Sequence, residues 1–191
     1  MKRYHFCMLM IALMLFEVAC HGAPGHMSFK DDPSINVFNI VPEQGKAALV
    51  VARTINYAGP TEFETYLNKK MIGVTKWSTY FVKTDVAPGA HYIIALAEGR
   101  DVIKLNFEPG RVYYIQQIPA PGAFRAHVNL APVTPQELST SFDSGVKLVV
   151  YDNSGNDLSD SDFQKYAAEY EKEVREGRHK EAASYRGVLA K

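Results

Sequence analysis

Cysteine and histidine are the side chains of this sequence best suited to nucleophilic, acid–base or metal chemistry. The two cysteines, Cys7 and Cys20, both lie in the first twenty residues. The body of the chain therefore has no thiol for a disulfide, a cysteine zinc site or a cysteine nucleophile. Any cysteine chemistry must belong to the N-terminal segment.

The histidines of the body are spread along the sequence. His26, His91, His127 and His179 form no i, i+4 pair and no His-Glu motif, the spacings that place imidazoles on one metal ion. His91 and His127 fall on different predicted strands and can meet only across a sheet. We predict structural imidazoles and no metal site.

Clustered acids are the remaining candidates for chemistry. The run from Asp152 to Asp162 offers oxygen ligands for calcium, but it lacks the glycine and the glutamate of an EF-hand loop. Aspartate, asparagine and serine also favour turns and helix N-termini. Glu62 and Glu64 share one strand face, where we expect solvated charges rather than a glycosidase pair. The chain has no Gly-x-Ser-x-Gly elbow and no nucleotide-binding glycine loop, so we predict neither enzyme activity nor a cofactor.

The N-terminus has the pattern of a secretory signal. Lys2 and Arg3 precede an apolar run from Phe6 to Phe16, too short for the roughly 20 residues that span a bilayer. Val18, Ala19 and Cys20 resemble a bacterial lipobox, although Glu17 departs from it. We predict a signal peptide over residues 1–19, a lipid anchor at Cys20 and a tether over 20–34.

The cellular location follows from how the signal is processed. With a lipidated Cys20, we expect anchoring in the outer membrane facing the periplasm. Ordinary cleavage after Cys20 or Gly22 would instead give a soluble periplasmic or secreted protein, and an uncleaved anchor is the third alternative. The 21 basic residues balance 21 acidic ones, which argues against nucleic acid as a partner because phosphate binding needs net positive charge.

Residues 35–133 read as a β domain. Phe124, Ala126, Val128 and Leu130 alternate with polar residues, the two-residue period of a strand with one buried face. Similar short segments recur between turn signals without intervening helices. The pattern predicts an antiparallel β-sandwich of seven to eight strands.

Residues 134–191 form a C-terminal extension of different character. Thr134-Pro135-Gln136-Glu137 is a capping box that should start a short helix. Val146 to Tyr151 reads as a further strand. From Asp160 to about Arg186 apolar residues recur at three- and four-residue steps, which predicts a charged amphipathic helix that ends or bends at Gly177.

Two Pro-Gly turns carry a resemblance to a known family. The segments 85–91 (DVAPGAH), 107–115 (FEPGRVYYI) and 45–53 (GKAALVVAR) resemble a bacterial lipoprotein family of unknown function, similar in layout to PEGA sandwich domains. The resemblance covers about residues 44–131. It implies an exported or lipid-anchored β-sandwich without an assigned activity, and it brings no catalytic residues.

Exposed aromatic residues are the candidate ligand contacts. We expect most aromatic side chains in the core, with Tyr66, Trp77 and Tyr113 facing outward as a stacking surface for a glycan or peptide. The sequence thus favours a non-catalytic binding or assembly module of the envelope, with an envelope protein or glycan as partner. An enzyme acting on envelope glycan or peptide and a secretion-complex subunit are the alternatives.

The lipid anchor can be tested at one residue. We expect wild-type protein to associate with membranes and to carry the added mass of a diacylglyceryl group. Cys20→Ser should abolish both, because the thiol is the attachment point. Mass spectrometry of the mature N-terminus measures the outcome, and an unmodified, freely soluble wild type would contradict the prediction.

Overall fold

The computed structural model describes residues 27–29, 35–55, 57, 61–122, 126–142, 145–153 and 155–190. The predicted signal, Cys20 and His26 lie outside them. Within the described chain, strands dominate and form two sheets, so the predicted mainly β class is confirmed. The first sheet contains β1 (Met27–Phe29), β2 (Ala47–Arg53), β5 (Thr79–Val86), β8 (Arg111–Pro121), β9 (Ala126–Val133), β10 (Lys147–Tyr151) and β11 (Val188–Leu189). The second contains β3 (Phe63–Leu67), β4 (Lys70–Thr75), β6 (Gly89–Leu96) and β7 (Arg100–Phe107).

The strand pairing is mixed rather than purely antiparallel. The first sheet runs β1-β10-β5-β2-β8, and β9 and β11 share the far edge of β8; the second runs β4-β3-β6-β7. The pairs β10–β5 and β2–β8 are parallel. Residues 35–133 contain eight strands, β2 to β9, in agreement with the predicted seven to eight, and β1, β10 and β11 from outside that range complete the first sheet. Two- and three-residue edge strands such as β11 and β1 are too short to show a period in sequence.

Apolar residues pack in three layers. Leu49, Val51, Phe63 and Ile115 belong to a cluster between the two sheets. The opposite faces of β2 and β8 contribute to a second cluster, which the segment 35–40 and the short helix α1 (Pro135–Ser141) cover. Every residue of β2 is buried, because both of its faces carry apolar side chains that need a neighbour.

The helix α2 (Asp160–Arg175) covers the outer face of the second sheet. Tyr170 is buried there with residues of β3, β4 and β6. Lys104 Nζ lies 2.8 Å from Glu171 Oε1, and the Tyr92 hydroxyl donates to the same oxygen at 2.7 Å. Lys104 and Tyr92 hold the pKa of Glu171 below its usual value. The polar contacts thus align a helix whose apolar stripe supplies the packing.

The structure differs in places from the predicted organisation of the chain. Residues 27–29 form β1, which pairs with β10, so the predicted tether over 20–34 is wrong there. The predicted strand in the C-terminal extension 134–191 is β10, which lies inside the first sheet between β1 and β5. The predicted helix to Arg186 is interrupted: α2 ends at Arg175, Gly177 has φ 86°, and a short helix α3 (Lys180–Ser184) follows.

The β7–β8 corner is fixed by a buried tyrosine. The Tyr113 hydroxyl donates to the carbonyl oxygen of Asn106 and accepts from the backbone N–H of Glu108, both at 2.9 Å. This is the kind of contact that ties a corner between strands in β-sandwich proteins. Gly110, which lies between Glu108 and Tyr113, has φ 72°, a conformation that favours glycine. The corner therefore depends on one hydroxyl and one glycine.

Removing the Tyr113 hydroxyl should destabilise the fold. We expect Tyr113→Phe to lower the free energy of unfolding by about 1–2 kcal/mol, since it leaves two partly buried backbone groups without their partner. Tyr57→Phe, at an exposed ring, is the matched control and should change it by less than about 0.5 kcal/mol. Urea unfolding measures both, and equal midpoints for the two variants would contradict the assignment.

Candidate functional site

Three large apolar side chains are exposed at one end of the two sheets. Ile55, Tyr57 and Trp77 have relative exposures of 39%, 47% and 51%. Ile55 and Tyr57 follow the end of β2, and Trp77 lies in the turn between β4 and β5. Arg53 pairs with Thr79 across β2 and β5, which places the two loops side by side. We call these three residues the aromatic end.

An ion pair joins the two loops of the aromatic end. Lys76 Nζ lies 3.0 Å from Glu62 Oε1, and both side chains are partly exposed. A surface ion pair contributes little stability by itself. Its importance here is geometric, because it links the residue before Trp77 to the end of the loop that contains Tyr57.

The turn that carries Trp77 is held by hydrogen bonds on both sides. The Thr79 hydroxyl accepts from the backbone N–H of Lys76 at 3.0 Å and donates to the carbonyl oxygen of Lys76 at 2.9 Å. The backbone N–H of Lys147 donates to the carbonyl oxygen of Ser78 at 2.8 Å. Ser78 itself has φ 48°. The indole therefore projects from a fixed backbone.

A buried arginine organises the other loop. Arg53 is completely buried, and its Nη1 and Nη2 atoms each donate at 2.6 Å, to the carbonyl oxygens of Thr61 and Tyr57. The guanidinium lies 4.0 Å from the centre of the Phe63 ring, within the range of a cation–π contact. Burial lowers the pKa of Arg53 to about 10, so the group stays charged at neutral pH. One cation thus positions the backbone of Tyr57.

Buried polar side chains lie between the sheets near the same end. Thr75, the last residue of β4, donates through its hydroxyl to Gln117 Oε1, and Gln117 Nε2 donates to the Thr65 hydroxyl at 3.0 Å. All three residues are buried. Such a satisfied network fixes the register of the strands that carry it. The sequence analysis missed this network and Arg53, because neither follows a motif; an arginine ending an otherwise apolar strand was the available signal.

The structure separates the three predicted contact residues. Tyr66 is 5% exposed beneath α2, and Tyr113 is fully buried between the sheets. The prediction that both face outward is wrong, because a helix covers one outer face and β8 is buried on both. Burial and a hydrogen bond to Glu64 raise the pKa of Tyr66 far above its usual value. Trp77 is exposed as expected.

The histidines do not converge. His91 contacts Asn68 and the carbonyl oxygen of Ala87 at the end opposite Trp77. His127 lies beside Gly99, beyond the other end of β6, so the two do not meet across a sheet. His179 pairs with Glu173 at 2.8 Å. Across the described ranges, no group of three or more histidine, cysteine or acidic residues could hold a metal ion.

The acidic residues that were candidates for calcium or catalysis have local partners. Asp157 accepts from the backbone N–H of Met71 at 3.0 Å, and Asp160 pairs with Lys69. Ser159 caps α2 by accepting from the backbone N–H of Asp162. These residues attach the start of α2 to β4, in agreement with the predicted turn and helix cap.

An apolar groove on the outer face of the first sheet offers no acid–base chemistry. It has a volume of about 330 Å³ between α1, the segment 38–40 and the segment 188–190. The described residues that line it include no acid, base or histidine. The groove is apolar and lies away from the aromatic end.

No protein-family model, curated protein or solved structure matches this chain. In the part of the chain that the structure describes, no helix is both long and apolar enough to cross a bilayer. The functional argument therefore rests on the sequence patterns and on the geometry of the site.

Arg53 provides a test of the aromatic end. We expect Arg53→Met to keep the packing of the aliphatic stem but to lose both carbonyl contacts, lowering the free energy of unfolding by about 2–3 kcal/mol. The loop should also open, so chymotrypsin should cleave after Tyr57 faster under native conditions. Arg175→Met, at an exposed helix position, is the control. Unchanged cleavage at Tyr57 in Arg53→Met would show that the arginine does not position the loop.

Proposed function

We propose that this protein is an exported, lipid-anchored component of the bacterial cell envelope that binds a partner non-catalytically through the aromatic end. The observation that carries the proposal is the half-exposed Trp77 on a turn fixed by hydrogen bonds. Tryptophan and tyrosine dominate the energetics of binding surfaces because they bury large apolar areas and lose little conformational entropy.

The fold proposed for this module is a β-sandwich of the PEGA-like type. Its support is the apolar cluster shared by both sheets and the two Pro-Gly turns of the resemblance. Gly89 has φ 116° and Gly110 has φ 72°, so each glycine adopts a conformation that other residues rarely accept. The backbone conformation of these two turns thus explains why glycine follows proline in the segments on which the resemblance rests.

The proposed location combines the signal pattern with the lipobox-like residues. Export follows from the apolar run and its basic start. A diacylglyceryl group at Cys20 would hold the protein to the outer membrane, facing the periplasm. Without that group the same module would be periplasmic or secreted.

Site-specific crosslinking tests binding at the aromatic end. We expect a benzophenone amino acid in place of Tyr57 to form adducts with an envelope component in intact cells, and Trp77→Ala in the same background to reduce them at least about fivefold. The matched control places the probe at Val41, which is 64% exposed and should give none. Adducts of equal yield from both positions, or none from residue 57, would contradict the proposal.

A further inference from the structure

We propose that the outer face of the second sheet is a docking surface for an acidic amphipathic helix of a partner protein, and that α2 occupies this face within the chain until such a helix displaces it. The inference depends neither on the aromatic end nor on the lipid anchor. Three observations lead to it: the polarity of the ion pairs that hold α2, the apolar cluster beneath the helix and the shallow burial of the helix itself.

The ion pairs that hold α2 have one polarity. In the part of the chain that the structure describes, each pair between α2 and the second sheet, or the turn between β3 and β4, places the base on the sheet side and the acid on the helix. These pairs are Lys69–Asp160, Arg100–Glu169 and Lys104–Glu171. Complementary charges of this kind select a partner more than they strengthen the contact. A helix that takes the place of α2 must therefore carry acids.

The acids of α2 border its apolar stripe. Phe163, Tyr166 and Tyr170 recur at three- and four-residue steps and pack with residues of the second sheet. Glu169 and Glu171 adjoin Tyr170 in sequence, so each projects about 100° to one side of the stripe. An apolar stripe with charged borders is the pattern by which a helix recognises a matching surface.

The sheet residues beneath α2 form an apolar cluster that needs a cover. They are Tyr66, Met71, Val74, Ile94 and Val102, and none is more than 5% exposed. Exposing this cluster to water would cost much hydrophobic free energy, so an empty face is strongly disfavoured. A helix that brings its own apolar stripe avoids this cost. Its affinity then only has to exceed the hold of α2 on the same face.

The attachment of α2 is shallower than that of the strands. Tyr170 is the one buried residue among the sixteen of this helix, whereas all seven residues of β2 are buried. The side chains of Lys104 and Glu171 are 37% and 40% exposed, and ion pairs so exposed contribute little stability. Elements with few buried side chains open more readily than the core. An external helix can therefore displace α2 while the sheets stay folded.

A synthetic peptide of residues 157–177 supplies a displacing helix of the required chemistry. We expect its fluorescein-labelled form to bind the full chain carrying Glu169→Gln and Glu171→Gln at least about fivefold more tightly than wild type, because the weakened α2 competes less for the face. Glu176→Gln is the matched control, since its partner Arg178 lies outside the second sheet, and it should bind as wild type does. Fluorescence anisotropy measures the affinities.

The charge pattern can be tested from both sides of the contact. Adding Arg100→Gln and Lys104→Gln to the variant with the weakened helix should lower its affinity for the peptide at least about fivefold, because the bases then no longer meet the acids of the peptide. A peptide with glutamine in place of its aspartates and glutamates should lose a similar factor. Equal affinities of the acidic and the neutral peptide would show that the face does not select an acidic helix.

Hydrogen exchange measures whether α2 opens by itself. In native wild type, we expect amides of α2 to exchange at least about tenfold faster than those of β2. Unchanged protection of β2 in the variant with Glu169→Gln and Glu171→Gln confirms that its sheets remain folded. Equal exchange of α2 and β2 in wild type, or no saturable binding of the peptide to this variant, would overturn the proposal. A dimer of the variant formed without peptide would assign the face to a second copy and overturn the partner assignment.

Discussion

The burial of both faces of β2 is the constraint on which the rest of the structure depends. Alternate side chains of this strand, such as Leu49 and Val50, belong to different apolar clusters. A second sheet must therefore cover one face, and the segment 35–40 and α1 the other. The same requirement explains why β8, its parallel neighbour, is buried on both faces. Burial removes the apolar side chains on both faces of β2 from water, and this burial contributes strongly to the stability of the fold.

The apolar clusters cover most faces of the two sheets, so the candidate functional residues lie where strands end. At one end, Arg53 and the Lys76–Glu62 pair hold two loops so that Trp77 and Tyr57 stay exposed on a defined backbone. A buried cation is costly without hydrogen-bond acceptors, and the two loop carbonyls supply them. The burial of Arg53 therefore depends on an ordered loop, because opening the loop would leave the guanidinium without these acceptors.

The molecule also has a direction along its strands. The chain enters beside Tyr151, and the Pro-Gly turns lie at that same end, away from Trp77. The short edge strand β1 therefore marks the end at which residue 27 joins the first sheet.

The sequence by itself determined the mainly β class, most strand positions, the capping box at Thr134 and the exposure of Trp77. These features depend on period, turn chemistry and local hydrogen bonds, which neighbouring residues encode. The parallel pairs, the short edge strands and the burial of Tyr66 and Tyr113 were decided only by the tertiary structure. They depend on contacts between distant segments: a helix about a hundred residues further along covers Tyr66, and no local pattern records which face a remote element will cover.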